Sequence, residues 1–521
     1  MLVASVAAPG HALRGAPAGL SLAVPAASAA PVPVAPDEPL IARVTIRTPA
    51  DVARFASLGL DLLEAREGDD LFILTTQAEV DRLKADGWSV VVDPDHTQRL
   101  RQQQQEQRQR AATQVQPLFM GGYRTVVEVR AALDDAATQH PDLAEVFVYG
   151  ASWERLMGGA SAGHDLFGIR LTNRKRPGPK PTFFLMSAIH ARELSTPELA
   201  LRFVDHLLGR YGIDADVTWL LDAHLVVVVP IVNPDGHVLA EQGYLQRKNT
   251  DTSHGHCTVP NIGVDLNRNS TFRWGVVNGP SESPCAETYP GPVPESEPET
   301  AALQALVRSL FPDQRGPGDG DASPSDATGI LITLHSYSNL VMWPWGYTRE
   351  TAPNVAGLSA IGRKFAAYNG YTRQQSIALY ATSGTTDDWA YGELGIAAFT
   401  FEVGPSSRSC GGFFPPFTCL DGGAGGAFWP RNLPAFLYAA RIARTPFELA
   451  QGPTPDAAQH VAPEGIGSER VGFTPHTFAR ASSRDTPARR ANGGGEPGSR
   501  HFAGVAECHG AASGGRHGAI R

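Results

Sequence analysis

Three apolar runs, Thr182–Ser187 (TFFLMS), Gly329–Leu334 (GILITL) and Ile396–Phe401 (IAAFTF), each lead straight into residues that can do chemistry. Short continuous apolar runs suit strands buried on both faces, as in a sheet covered by helices. The first run is followed by His190-Ala191-Arg192-Glu193, the second by His335 and the third by Glu402. All the candidate residues therefore fall at the carboxyl ends of buried strands, where open α/β sheets place their sites. Helix-start signals follow the first motif: Ser195 or Thr196 as N-cap, Pro197 at the first helical position and Glu198 closing a capping box. This predicts a helix over 197–210, with His190 and Glu193 in the turn between strand and helix.

The residue types point to a metal. A zinc ion that performs hydrolysis needs nitrogen and carboxylate ligands and one open position. It also needs a carboxylate that stays off the metal and takes the proton of water. His190, Glu193 and His335 supply the ligands, and Glu402 supplies the base. An H-x-x-E alone is weak, since a chain with 16 His shows about one by chance. Satisfied core histidines and surface acids are the bland alternative, and the strand-end placement of all three segments argues against it.

Composition shifts divide the chain of 521 residues. Residues 1–36 form a possible signal or leader: Leu20–Ala30 has an apolar stretch and Ala-x-Ala-like cleavage sites, with only Arg14 as basic lead, and a plain Ala/Pro leader is the other reading. Residues 38–95 alternate strand-like and helix-like runs in a β-α-β-β-α-β order, which suggests a small ferredoxin-like α+β unit. The 96–117 segment is rich in Gln and Arg, polar and exposed, and is either a target for an activating protease or a spacer. From 118 to 447, strands alternate with helices such as Thr125–His140, Glu299–Leu310, Ala356–Tyr368 and Pro430–Ile442, implying a mixed sheet with helices on both faces. Residues 453–521 lose periodicity and read as disordered. A net charge of −9 gives no footprint for nucleic acid. No segment has the roughly 18 apolar residues of a membrane span, and nothing demands more than a monomer.

A further set of blocks appears in order: Gly263-Val264-Asp265-Leu266-Asn267-Arg268-Asn269, Tyr289-Pro290-Gly291-Pro292, Ser296-Glu297-Pro298-Glu299-Thr300, Leu334-His335-Ser336-Tyr337-Ser338, Tyr380, Asp388-Trp389 and Thr400-Phe401-Glu402. Together with the first motif they make residues 118–445 resemble the zinc metallocarboxypeptidases of the pancreatic carboxypeptidase A/B type. The resemblance implies an α/β fold with a mixed eight-stranded sheet flanked by helices, and one Zn2+ per chain. It implies a secreted enzyme, with 38–95 as a propeptide covering the cleft until removed. Peptide or protein C-termini would be the substrate. By the same resemblance Arg268 and Asn267 hold the terminal carboxylate, which a planar guanidinium matches in two parallel hydrogen bonds. Tyr380 closes over the substrate, Arg247 faces the developing oxyanion, and Arg192 and Tyr337 contact the peptide further from the scissile bond. Asp265 is the partner expected to fix the tautomer of His190, a structural salt bridge being the competing role.

Specificity is expected from Thr385-Thr386-Asp387-Asp388-Trp389. In the resembled family the position before Asp-Trp points into the pocket for the terminal side chain, and here it is Asp387. A buried carboxylate favours a cationic partner, so Lys or Arg termini are expected, or a mixed preference that tolerates apolar termini, unless Asp387 pairs with a protein group. Gly346 would keep the pocket open, and Gln375 would line it. Cys257 with Cys285 and Cys410 with Cys419 flank loops at the site rim, each pair able to form a local disulfide in an oxidising compartment, with Cys508 left over. Leu194, Asn339 and Ser270-Thr271-Phe272 depart from the family pattern and bear on subsite shape. Two rival functions stay open: a cell-wall peptidase acting on diaminopimelate or D-amino acids, and a silent homologue that only binds peptide tails.

Overall fold

A computed structural model describes residues 38–48, 51, 54, 55, 58–112, 121–159, 161–277, 283–406 and 409–449. They lie in the first of two units, Met1–Ala457. The leader, residues 453–521 and residues 49, 50, 52, 53, 56 and 57 of the N-terminal unit lie outside the described residues.

The N-terminal part builds β1 (Leu40–Thr45), β2 (Asp61–Glu67), β3 (Asp70–Thr75), α1 (Gln77–Ala85) and β4 (Val90–Val92). The four strands form one antiparallel sheet in the order β2-β3-β1-β4. Alternation sets its inner face, and Thr76 caps α1 by accepting the Glu79 N–H at 3.3 Å. The Gln/Arg-rich stretch enters α2 (Pro94–Ala112).

The larger part follows as α3 (Val126–Gln139), β5 (Ala144–Ala151), α4 (Trp153–Gly158), β6 (Asp165–Leu171), β7 (Thr182–Ser187), α5 (Ser195–Arg210), α6 (Ala215–Ala223), β8 (Leu225–Val229), α7 (Pro234–Glu241) and α8 (Pro298–Leu310). It continues with β9 (Ile330–His335), β10 (Leu340–Trp343), α9 (Val355–Asn369), β11 (Thr372–Gln375), α10 (Thr386–Leu394), β12 (Ala397–Glu402), α11 (Phe428–Ile442) and α12 (Pro446–Leu449). Its eight strands run β11-β10-β12-β9-β7-β8-β6-β5. The central β12, β9, β7 and β8 are parallel, while β10, β6 and β5 join antiparallel. This is the mixed eight-stranded sheet expected from the sequence.

Every residue of β7, β9 and β12 is buried, because α5 and α11 pack on β7 and α10 packs on β9 and β12. Phe183, Phe184, Ile332 and Phe399 thus each contribute about 1.5–3 kcal/mol of burial. The pairing Glu402↔His335 places both residues at the carboxyl edge of adjacent parallel strands.

The start of α5 differs from expectation. It begins at Ser195 after Leu194, with no side-chain cap. Thr196 Oγ instead accepts the Ala188 N–H at 3.1 Å and donates to the Glu193 carbonyl at 2.9 Å. Glu198 accepts from Arg124, at its backbone N–H (2.8 Å) and at Nη1 (2.5 Å), rather than closing a capping box. Tertiary contacts have claimed both polar side chains.

Candidate active site

The turn after β7 is forced tight by its own residues. Ala188 adopts φ +48°, a left-handed conformation that costs a non-glycine residue energy. It is held there by Thr196 and by the Asn233 N–H, which donates to the Ala188 carbonyl at 3.1 Å. Asn233 Nδ2 reaches the Ile189 and Arg247 carbonyls at 3.3 and 3.4 Å, and the Ala191 N–H donates to the Arg247 carbonyl at 3.0 Å. The segment carrying His190 and Glu193 is thereby fastened to the one carrying Arg247.

His190, Glu193 and His335 converge. Nδ1 of His190 lies 2.7 Å from Glu193 Oε1 and 3.1 Å from Nδ1 of His335, which is 3.3 Å from Glu193 Oε2. All three side chains are buried. Two imidazole nitrogens facing one another beside a carboxylate is the donor set of a zinc site, not of a satisfied core. Glu193 Oε2 accepts no hydrogen bond, as expected of an oxygen kept for a cation. Burial pushes the Glu193 carboxyl up, yet the two imidazoles outweigh it and hold it below its usual value.

Asp265 ties this group to its surroundings. Its Oδ1 lies 3.3 Å from His190 Nε2, and its Oδ2 lies 3.1 Å from both Nε and Nη2 of Arg247. Burial opposes its charge, but Arg247, Arg268 and His190 hold the carboxyl well below the usual range. Asp265 thus makes the salt bridge with Arg247 and stands beside His190 Nε2.

A small cavity of about 40 Å³ opens beside the triad. His190, His335, Arg247, Asn267, Arg268, Tyr380, Asp387 and Glu402 all line it. Asn267 Oδ1 accepts from Thr386 at N (2.9 Å) and Oγ1 (3.1 Å), fixing the short turn Leu266–Arg268 to the start of α10. Asp387 accepts from Ser376 Oγ at 3.0 Å and from the Asp388 N–H at 3.0 Å. Burial, and then Asp387, push the Asp388 carboxyl well above its usual value, which favours its neutral form. Asp388 in turn accepts the Gly346 N–H at 2.9 Å. A Cβ at Gly346 would come within 2.5 Å of Thr382 Oγ1, so a larger residue here would have to displace that hydroxyl.

Arg192 and Tyr337 do not line that cavity. The Arg192 guanidinium forks onto Asp61 of β2, Nη1 and Nη2 each donating at 2.6 Å, with Phe413 beneath it at 4.1 Å. Tyr337 packs edge-on to Phe413, ring centroids 5.0 Å apart. Gln375 also turns away, donating to the carbonyls of Trp345, Thr348 and Glu350. Its neighbour Ser376, in the short turn after β11, meets Asp387 instead.

The zinc carboxypeptidase family pattern matches residues 129–422, more than half of the chain. The chain belongs to that family. As a zinc carboxypeptidase it is a hydrolase acting on C-terminal peptide bonds, and its His190, Glu193 and His335 form the zinc-binding group. It is 30% identical over 423 residues to a zinc carboxypeptidase of Saccharothrix mutabilis subsp. capreolus, covering 78% of this chain and 90% of that protein. Carboxypeptidase B of Rattus norvegicus is 31% identical over 283 residues, covering 53% of this chain and 61% of the rat protein. In fold, this zinc carboxypeptidase resembles carboxypeptidase A of Helicoverpa armigera, with TM-score 0.62 and 22% identity over 78% of this chain and 98% of that one. The thrombin-activatable fibrinolysis inhibitor gives TM-score 0.56 and 23% identity over 79% and 99%. Cys257–Cys285 and Cys410–Cys419 are disulfide-bonded, the pairing expected from their placement. Among the described residues no helix is long and apolar enough to cross a membrane.

Proposed function

We propose that this zinc carboxypeptidase removes C-terminal Lys and Arg from peptides, and that its N-terminal sheet covers the cleft until it is cut away. The reading rests on one observation: His190 and His335 of the zinc group, Glu402, Arg268 and Asp387 border one cavity. Arg268, with Asn267 beside it, grips the terminal carboxylate of the substrate in a two-pronged hydrogen bond. Asp387 receives the ammonium or guanidinium of the terminal side chain. Bound zinc supplies Lewis acidity toward water and the scissile carbonyl. Glu402 takes the proton of the attacking water and delivers it to the leaving amine. Arg247, oriented by Asp265, faces the oxygen on which charge develops. Tyr380 closes the cavity over the substrate. A silent binder needs no general base, which disfavours that rival.

Removing an oxyanion donor of this kind costs about 2.7–4 kcal/mol of transition-state stabilisation. Arg247→Ala should therefore lower kcat by roughly 10²–10³-fold with less change in KM, read by steady-state kinetics.

The covering role rests on two contacts. Asp61 occupies the Arg192 fork, and Leu379 and Tyr380 share one buried apolar cluster with Leu60, Leu62 and other N-terminal residues. The two disulfides fit an extracellular setting, so we include secretion in the proposal. The test uses zinc-loaded chain cut within the 96–117 segment. Peptides ending in free Lys or Arg should turn over, and the same peptides amidated at the C-terminus should not. Equal turnover of free and amidated peptides would remove the exopeptidase reading. Turnover confined to diaminopimelate peptides would favour the cell-wall rival.

A further inference from the structure

Arg192 stands between two carboxylates, and only one holds it. Asp61 takes both Nη atoms at 2.6 Å. Glu287 Oε2 waits 3.8 Å from Nη1, buried, with no hydrogen bond to that oxygen. The Glu287 residue is only 8% exposed. It follows Cys285 of the disulfide, in backbone held by Lys248, whose Nζ donates to the Pro284 and Ala286 carbonyls at 2.8 and 2.9 Å. The charged groups facing Glu287 are thus Asp61 from β2, Arg192 from the turn after β7, and Lys248 and Arg247 from the segment after α7. Burying a carboxylate away from water without a hydrogen-bonded partner is costly, and a second carboxylate close by adds to the cost.

We propose that Glu287 is the displaced internal partner of Arg192, and that undocking of the N-terminal sheet is coupled to loss of a proton from Glu287. Acid holds the sheet on the cleft, and neutral pH loosens it. The proposal rests on the reading of that sheet as a cover. Once Asp61 leaves, Arg192 is open to Glu287, and the repulsion between the two carboxylates is gone.

The sign follows from linkage. In the docked state burial, then Asp61, raise the Glu287 carboxyl to about 7, against the pull of Arg192, Lys248 and Arg247. Burial lowers Lys248 to about 8, above Glu287, so its own titration sets in at the upper edge of the range. The docked state therefore holds the extra proton. Its added stability is complete below the ordinary carboxylate value and is lost as pH rises through about 7. For one proton, docking weakens by at most about tenfold per pH unit in that window.

The test is hydrogen–deuterium exchange of the β2 amides in the zinc-loaded, uncut full chain between pH 5.5 and 8, corrected for intrinsic exchange. Wild type is compared with Glu287→Gln and Asp61→Asn, and protection of α5 serves as the check that each variant is folded. Wild-type β2 protection should fall by tenfold or more across the range. Glu287→Gln should remove most of that slope, and Asp61→Asn should lower protection at every pH. Equal slopes in wild type and Glu287→Gln would overturn the proposal, as would unchanged β2 protection in Asp61→Asn. Because the readout is exchange, an inactive chain that keeps the Glu287-dependent slope would discard the enzymatic reading and leave this one standing. An active chain without the slope would do the reverse.

Discussion

Glu402→Gln should lose about 10²–10⁴ in kcat, the usual contribution of a positioned general base, while retaining one zinc per chain. The amide keeps the volume and one acceptor oxygen of the side chain but cannot take a proton at neutral pH. Its position at the end of β12, one strand from His335, is set by the sheet, so the substitution should leave the fold and the triad in place. Peptide binding should change little, because Arg268 and Asp387 lie on other elements. Metal analysis with steady-state kinetics checks this. A variant that turned over within a few-fold of wild type would move the base to another group. A variant that lost zinc would make Glu402 part of the metal's support.

The second large effect is expected at Asp387. It is 4% exposed, with Ser376 and the Asp388 N–H as its hydrogen-bond donors. Neither neutralises its charge, and Asp388 behind it is driven toward the neutral form. A Lys or Arg side chain entering the cavity meets a desolvated carboxylate. Breaking such a buried pair costs about 3–5 kcal/mol, or roughly 10²–10⁴-fold in kcat/KM. Asp387→Ala should lose that much on Arg and Lys termini and gain on Leu and Phe termini. Wild type that prefers Leu or Phe, with no loss in the variant, would discard the basic preference and keep the mechanism. Matched peptides differing only in the last residue separate the outcomes.

The central sheet was legible because its strands are buried on both faces and so read as unbroken apolar runs. Thr182–Ser187 matches its expected limits, while Ile330–His335 and Ala397–Glu402 sit one residue later. The outer strands Leu340–Trp343 and Thr372–Gln375 are only four residues each, and TRQQ carries no apolar pattern at all. The helix Thr386–Leu394 was hidden for a related reason. Its buried face includes Thr386, Asp387 and Asp388, so burial there follows the cavity and not hydropathy. At the site, residue types and family blocks singled out the ligands and the cavity-lining residues. Arg192 could not be placed that way. What it touches in the intact chain, Asp61, lies 131 positions earlier in an unrelated sheet. Ser376 was missed in favour of Gln375, because the strand ends at Gln375 and the turn that follows redirects the next side chain.

His335 and Glu402 are register partners on neighbouring parallel strands, so their separation is set by the roughly 4.8 Å interval between hydrogen-bonded chains. That interval cannot be adjusted by lengthening a loop or softening a hinge. The groups proposed to read the peptide are mounted differently: Tyr380 and Arg268 on loops and short turns, Asp387 on the first turn of a helix. Insertions and substitutions in those connections can redraw which terminus fits while the distance from base to metal stays fixed. The chain has separated the ruler from the reader, and drift in its loops should change diet long before it changes chemistry.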